Sequence, residues 1–284
     1  MTVGRSIQGM GMGAAVLLLC LPHSVRADDG AARVSLALRQ ATLIHSMRAA
    51  TCFAMAGIDA GQQEALALEH ADTYGTTLRA LRDGHDWLGL APTDDPDTIA
   101  AIAASEAVWR GFRPAIDQII AGDLHSVVMR QIMRDTDATV ESATTMAAHF
   151  LDTAAPPDRS AAVRQAAELA AHHRMLTQRA LGEMCYVLFD LGGAAMRSRL
   201  ERTLDEIARS YAVLSAGSDT VAAPPSARIA RNLRTAHLFW SKMRPTIEAA
   251  RADTPPDALT VQKMLKLNRS VLKQLNQAID GYIG

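Results

Sequence analysis

Apolar positions along this chain recur at intervals of three and four residues, in long stretches separated by Gly and Pro. No stretch alternates apolar and polar residues as a half-buried strand does. The pattern predicts eight amphipathic helices, at roughly 32–60, 62–83, 97–121, 124–152, 160–191, 194–216, 226–251 and 257–282. Gly84, Pro92 and Pro96 interrupt the pattern once, and Gly217, Pro224 and Pro225 interrupt it again. Pro255-Pro256-Asp257 opens the last helix, where proline is tolerated in the first turn. Pro114 and Pro245 fall inside helices, which they are expected to bend. Aromatic residues make up only 4% of the chain, which also favours an all-α protein.

The punctuation repeats because much of the chain repeats. A shift of 133 residues pairs Leu36-Ala37 with Leu169-Ala170, Leu43 with Leu176, Cys52 with Cys185, Leu81 with Leu214 and Gly84 with Gly217. The following loop is two residues shorter in the second half. Beyond it Trp109, Arg113, Pro114 and Ile116 align with Trp240, Arg244, Pro245 and Ile247, and Gln131, Met133 and Val140 with Gln262, Met264 and Val271. Matches at rare residue types carry the most weight, and they point to a tandem duplication. The expected fold is therefore two tandem antiparallel four-helix bundles, over 28–153 and 158–284, joined by "AAPPD" at 154–158.

Residues 1–27 stand apart. Arg5 lies near the start, an apolar run covers Ala14–Leu21, and Val25-Arg26-Ala27 precedes Asp28. This is the pattern of a cleaved secretory signal, and its apolar run is shorter than the ~20 residues a membrane span needs. Leu19 before Cys20 does not suit lipidation. A soluble periplasmic protein is expected, with no membrane insertion. Cleavage removes two of the 29 basic residues, Arg5 and Arg26, and none of the 30 acidic ones. The near-neutral remainder argues against nucleic acid as a partner. Two cysteines remain, Cys52 and Cys185. In an oxidising compartment they are a disulfide candidate, and two separate buried thiols are the other reading.

The candidate chemistry lies in "AAHHRMLTQRALGEMCYVLFDLGG", residues 170–193. At ~100° per residue, Arg174 and Gln178 fall on an apolar stripe with Thr177, Leu181, Met184, Cys185, Leu188 and Phe189. Arg179, Glu183 and Asp190 fall together on the other side and mark the expected solvated face. An arginine on an apolar stripe needs a partner, a carboxylate, backbone carbonyls near a helix end or a bound anion. The equivalent helix of the first half has Ala41 in place of Arg174, His45 in place of Gln178, and Arg48 in place of Leu181. Packing of the halves through these two helices would aim Arg174 and Gln178 at His45 and Arg48. It would also bring Cys52 and Cys185 to one pseudo-two-fold axis, beside one asymmetric polar pocket. No zinc-type spacing, phosphate loop, nucleophile elbow or haem-attachment motif occurs, so neither an enzyme nor a metal or cofactor is expected. His45 with the two cysteines allows a copper or haem site on paper, although a satisfied core histidine is the plainer reading.

The segment "RMLTQR", Arg174–Arg179, resembles the central motif of the PilJ-type domain, the N-terminal domain of type IV pili methyl-accepting chemotaxis transducers. Arg174, Met175, Leu176, Gln178 and Arg179 match that family's pattern as they stand. Thr177 replaces its usual serine, and His172-His173 departs from its usual Arg-Gln. "LRQATLIHSM" in the first half keeps Arg39, Gln40 and Leu43 but lacks the central arginine. The same domain type forms the sensor region of nitrate/nitrite-sensing histidine kinases, where the arginine matching Arg174 binds the anion between two subunits. The resemblance therefore implies a helical sensor-like fold that binds a small anion, nitrate-like or a carboxylate, near Arg174. With one arginine for two halves, a symmetric two-arginine clamp is not implied. The alternative function is an interaction module that docks on a membrane sensor or envelope protein and takes no small ligand.

Overall fold

The computed structural model describes residues 26–122, 126–155 and 159–284. Among them are eight long helices: α1 (Arg26–Met55), α2 (Ala60–Asp83), α3 (Pro96–Ile120), α4 (Ser126–Thr153), α5 (Ala161–Leu188), α6 (Gly193–Ala216), α7 (Ala227–Ala249) and α8 (Ala258–Ile283). The described residues form no strand beyond an isolated antiparallel bridge between His85 and Leu90. The protein is all-α. Most of the expected leader, and residues 156–158 of the expected linker, lie outside the described residues.

Local chemistry explains the helix ends. Asp95, Ser160, Ser226 and Asp257 each accept a hydrogen bond from the backbone N–H three residues on, capping α3, α5, α7 and α8. α2 and α6 both stop at a glycine with left-handed backbone, Gly84 at φ 80° and Gly217 at φ 81°. The following loop doubles back over each. A Cβ on Gly84 would meet the Leu90 carbonyl at 2.8 Å, and one on Gly217 the Ala223 nitrogen at 2.8 Å. α1 ends five residues earlier than its apolar pattern suggests, because Gly57 and Asp59 turn left-handed at φ 69° and 54°.

Helix pairing falls mostly within α1–α4 and within α5–α8, with one large addition and a smaller contact of α1 with α8. α1 packs on α2 and α4, α3 on both of them, α7 on α8, and α5 on α6 and α8. The addition is α1 against α5. Three links fix that pair: Arg174 reaches Leu38 and Thr42, Arg48 reaches the Arg179 carbonyl, and Cys52 is bonded to Cys185 with Cα atoms 6.2 Å apart. Residue numbers rise together along both helices, so α1 and α5 run parallel and in register. One hydrophobic core continues across them, from Met47 and Phe53 to Leu176 and Met184.

The two helices are enclosed. Thr42 to Ala54 of α1 is buried without a break, and so is His173 to Val187 of α5 apart from half-buried Arg179. This corrects one expectation. Glu183 is 0% exposed rather than solvated, because α1, α6 and α8 surround α5 and leave it no water-facing side there. Only Asp190, beyond the helix end, is exposed as expected.

The disulfide closes a loop of 133 residues. Removing it by a Cys52→Ala/Cys185→Ala double substitution is expected to cost about 2–5 kcal/mol of unfolding free energy, read from urea denaturation. An unchanged midpoint would mean that the bond constrains nothing.

Candidate functional site

Polar groups on an enclosed helix must find partners inside the protein. Many of those on α1 and α5 do so, chiefly in two separate places, while His45 Nδ1, Arg48 Nε, Glu183 Oε2 and the Tyr186 hydroxyl have no hydrogen-bond partner among the described residues. Arg174, 3% exposed, donates from Nε to Thr42 Oγ1 at 3.1 Å, from Nη1 to Asn276 Oδ1 at 2.6 Å and from Nη2 to the Leu38 carbonyl at 2.9 Å. All three acceptors are neutral. Burial, and then the Arg39 charge, lower its pKa to about 9, with Asp280 opposing, so the guanidinium stays charged at neutral pH. One turn on, Gln178 and Asn268 exchange amide hydrogen bonds of 2.8 and 3.1 Å. Arg174 and Gln178 thus join α5 to α8, and Arg174 also ties it to α1.

Arg48 works on another side of the α1–α5 contact. Its guanidinium lies against Gly182, where a Cβ would come within 2.8 Å of Nε, and donates from Nη2 to the Arg179 carbonyl at 3.1 Å. It also sits 5.3 Å from the centre of the Tyr186 ring. Beside it, Glu183 Oε1 accepts from Arg179 Nε at 2.9 Å and Arg199 Nε at 2.8 Å, and Arg199 grips Asp137 through two further bonds. His45 belongs to this side. Burial holds it neutral, well below its ordinary pKa, assisted by the charges of Arg48, Arg179, Arg199 and His172.

The four expected ligand residues therefore do not share one pocket. The cysteines do meet as the repeat suggested. A groove of about 680 Å³ lies between α1, α2 and α8, with α5 at its base. Gln178 lines it; Arg174, His45 and Arg48 do not. Arg174 stands one residue behind the wall, bonded to Asn276, which does line it. The rim carries Arg39, Lys266, Arg269 and Lys273 against Asp59 and Glu69. With its amide turned to satisfy both neighbours, Gln62 bridges Asp59 and Arg269. No hydrogen bond or ion pair among the described residues engages Arg39 or Lys273.

Sequence reading missed the α8 wall. Lys266, Arg269 and Lys273 look like an ordinary solvated face. One signal was available: Asn268 interrupts the buried stripe Val261, Met264, Val271, Leu275 much as Gln178 interrupts that of α5. Among the described residues no group of three or more His, Cys, Asp or Glu side chains is placed to hold a metal ion, and no helix is long and apolar enough to cross a membrane. Comparison of the chain with protein-family models, curated proteins and solved structures gave no match.

Buried histidines make stability depend on pH. His173, with Nδ1 at 2.7 Å from Ser210 Oγ, is lowered to about 3 by burial, and then by His237 and His172. Its neutral form is the one the fold favours. Its contribution is complete above the ordinary value of 6.5 and is lost as pH falls toward 3. His45 acts in the same direction. Denaturant melts between pH 7 and pH 4.5 are expected to show stability falling by up to about 1.4 kcal/mol per pH unit for each such histidine. His173→Asn should flatten the slope.

Proposed function

We propose that this protein is an exported, non-enzymatic binding protein that takes an anion in the groove between α1, α2 and α8. In this reading the fold is a pair of tandem four-helix bundles that arose by duplication, sensor-like in the manner of the PilJ-type domain. The leader pattern and the disulfide support export to the periplasm. One observation carries the binding reading: Arg39 and Lys273 line the groove without an ionic partner, and the buried Arg174 cation lies just behind it with only neutral acceptors. Three positive charges on one wall region favour an anion. Arg174 supplies field and holds Asn276 rather than touching the ligand, so its role differs from the direct clamp implied by the family resemblance.

Calorimetric titration with nitrate, nitrite and carboxylates at low salt tests this. At least one should bind saturably, and an Arg39→Glu/Lys273→Glu double substitution should weaken it at least about tenfold, which corresponds to about 1.4 kcal/mol. Equal binding by the variant would remove the site from the groove.

A second reading, docking on a membrane sensor or envelope protein, draws on a different observation. The loop after α2 is closed by hydrogen bonds in both directions between His85 and Leu90, at 2.8 and 3.1 Å, yet presents Trp87 95% exposed and Leu88 48% exposed. Trp109 and Trp240 are buried at 9% and 3%. A rigid turn that shows a tryptophan to water suits a partner surface. Trp87→Ser is expected to leave stability within about 0.5 kcal/mol while abolishing co-purification with the envelope partner. Persistent co-purification would clear Trp87 of that role.

A further inference from the structure

Resting on the anion reading above, we propose that the groove takes an amphipathic organic anion, one acidic head group on an apolar body of about eight to twelve carbons, and not an inorganic oxyanion. Size is the first argument. Small-molecule sites commonly enclose about 300–1,000 Å³, and this groove holds about 680 Å³. Nitrate has the bulk of about two waters, each on the order of 30 Å³. It would occupy a small corner and leave the remainder wet.

Shape and lining extend the argument. The α1 residues along the groove run from Arg39 to Phe53, which spans roughly 21 Å at 1.5 Å per residue. The lining is graded along this length and depth. The end near the start of α1 holds Arg39, Lys273 and Asn276, with Arg174 behind. Half-buried Leu66, Leu265 and Leu272 line the walls, with Ala49, Phe53 and Leu181 packed beneath and Ser46, Gln178 and Asn268 beside them. Farther along, Gln62, itself donating to Asp59, already accepts from Arg269. A charged head therefore finds more open donors at the Arg39 end, with Lys266 alone free nearer the other, and an apolar tail can lie along half-buried Leu66, Leu265 and Leu272. An oxyanion uses the first feature and ignores the second. An uncharged hydrocarbon does the reverse and leaves the cations without a ligand.

The test is titration of the oxidised, disulfide-bonded protein with nitrate, acetate, hexanoate, octanoate, decanoate and decanol, below micelle-forming concentrations. Affinity should rise about threefold to fourfold for each methylene buried. Decanoate should bind at one site per chain, more tightly than decanol, with no saturable binding of nitrate or acetate in the same range. Arg39→Glu and Lys273→Glu should each weaken decanoate severalfold, while Leu272→Asp should flatten the dependence on chain length. Nitrate binding as tight as that of decanoate would overturn this inference and leave the anion reading standing. Decanol binding as tight as decanoate would overturn it by removing head-group recognition. Binding of none of the anions would end both.

Discussion

Everything in this molecule rests on the contact between α1 and α5. Two helices that start separate halves of the chain run side by side, parallel and in register, and are buried on all sides over some four turns. Four antiparallel reversals bring the chain from one to the other, so the parallel pairing is what the helix count allows. The Cys52–Cys185 bond, the Arg174 clamp and the crossing of Arg48 over Gly182 pin that register at three levels.

An enclosed helix is usually apolar all round. These two are not, and the consequences shape the rest. Several of their buried polar side chains find partners on neighbouring helices, which turns charge into interhelical geometry. Arg174 recruits Thr42 and Asn276, and Gln178 recruits Asn268. Glu183 collects Arg179 and Arg199, which in turn holds Asp137. Replacing Asn268 would leave the Gln178 amide oxygen buried and unsatisfied, a cost that exceeds the worth of a single hydrogen bond. The groove follows from the same arrangement. α2 and α8 flank α1 and α5, and the side chains that fix α8 to α5 also form its wall.

Much of this was legible in the chain. Capping residues, glycines and prolines marked the helices because they act locally, through backbone angles and the first-turn N–H groups. The cysteine pairing was legible because residues at matching levels of two parallel helices meet when those helices pack. Three features were not. Glu183 appeared solvated because a helical wheel knows only its own helix, and three neighbours closing around α5 cannot be inferred from it. Arg174 called for a carboxylate, carbonyls at a helix end or an anion. In the fold its three bonds go to a hydroxyl, an amide and a mid-helix carbonyl, acceptors that carry no charge signature in sequence. The groove was hidden for a related reason: exposed lysines on α8 gain meaning only from Arg39 on a helix more than two hundred residues away.

The central claim is the in-register pairing of α1 with α5, and peptide mapping of the oxidised protein under non-reducing conditions tests it most directly. The account predicts a single intramolecular cross-linked species joining the peptide that contains Cys52 to the one that contains Cys185. Recovery of both cysteines as free thiols, or of Cys52 linked to Cys52 of another chain, would contradict it.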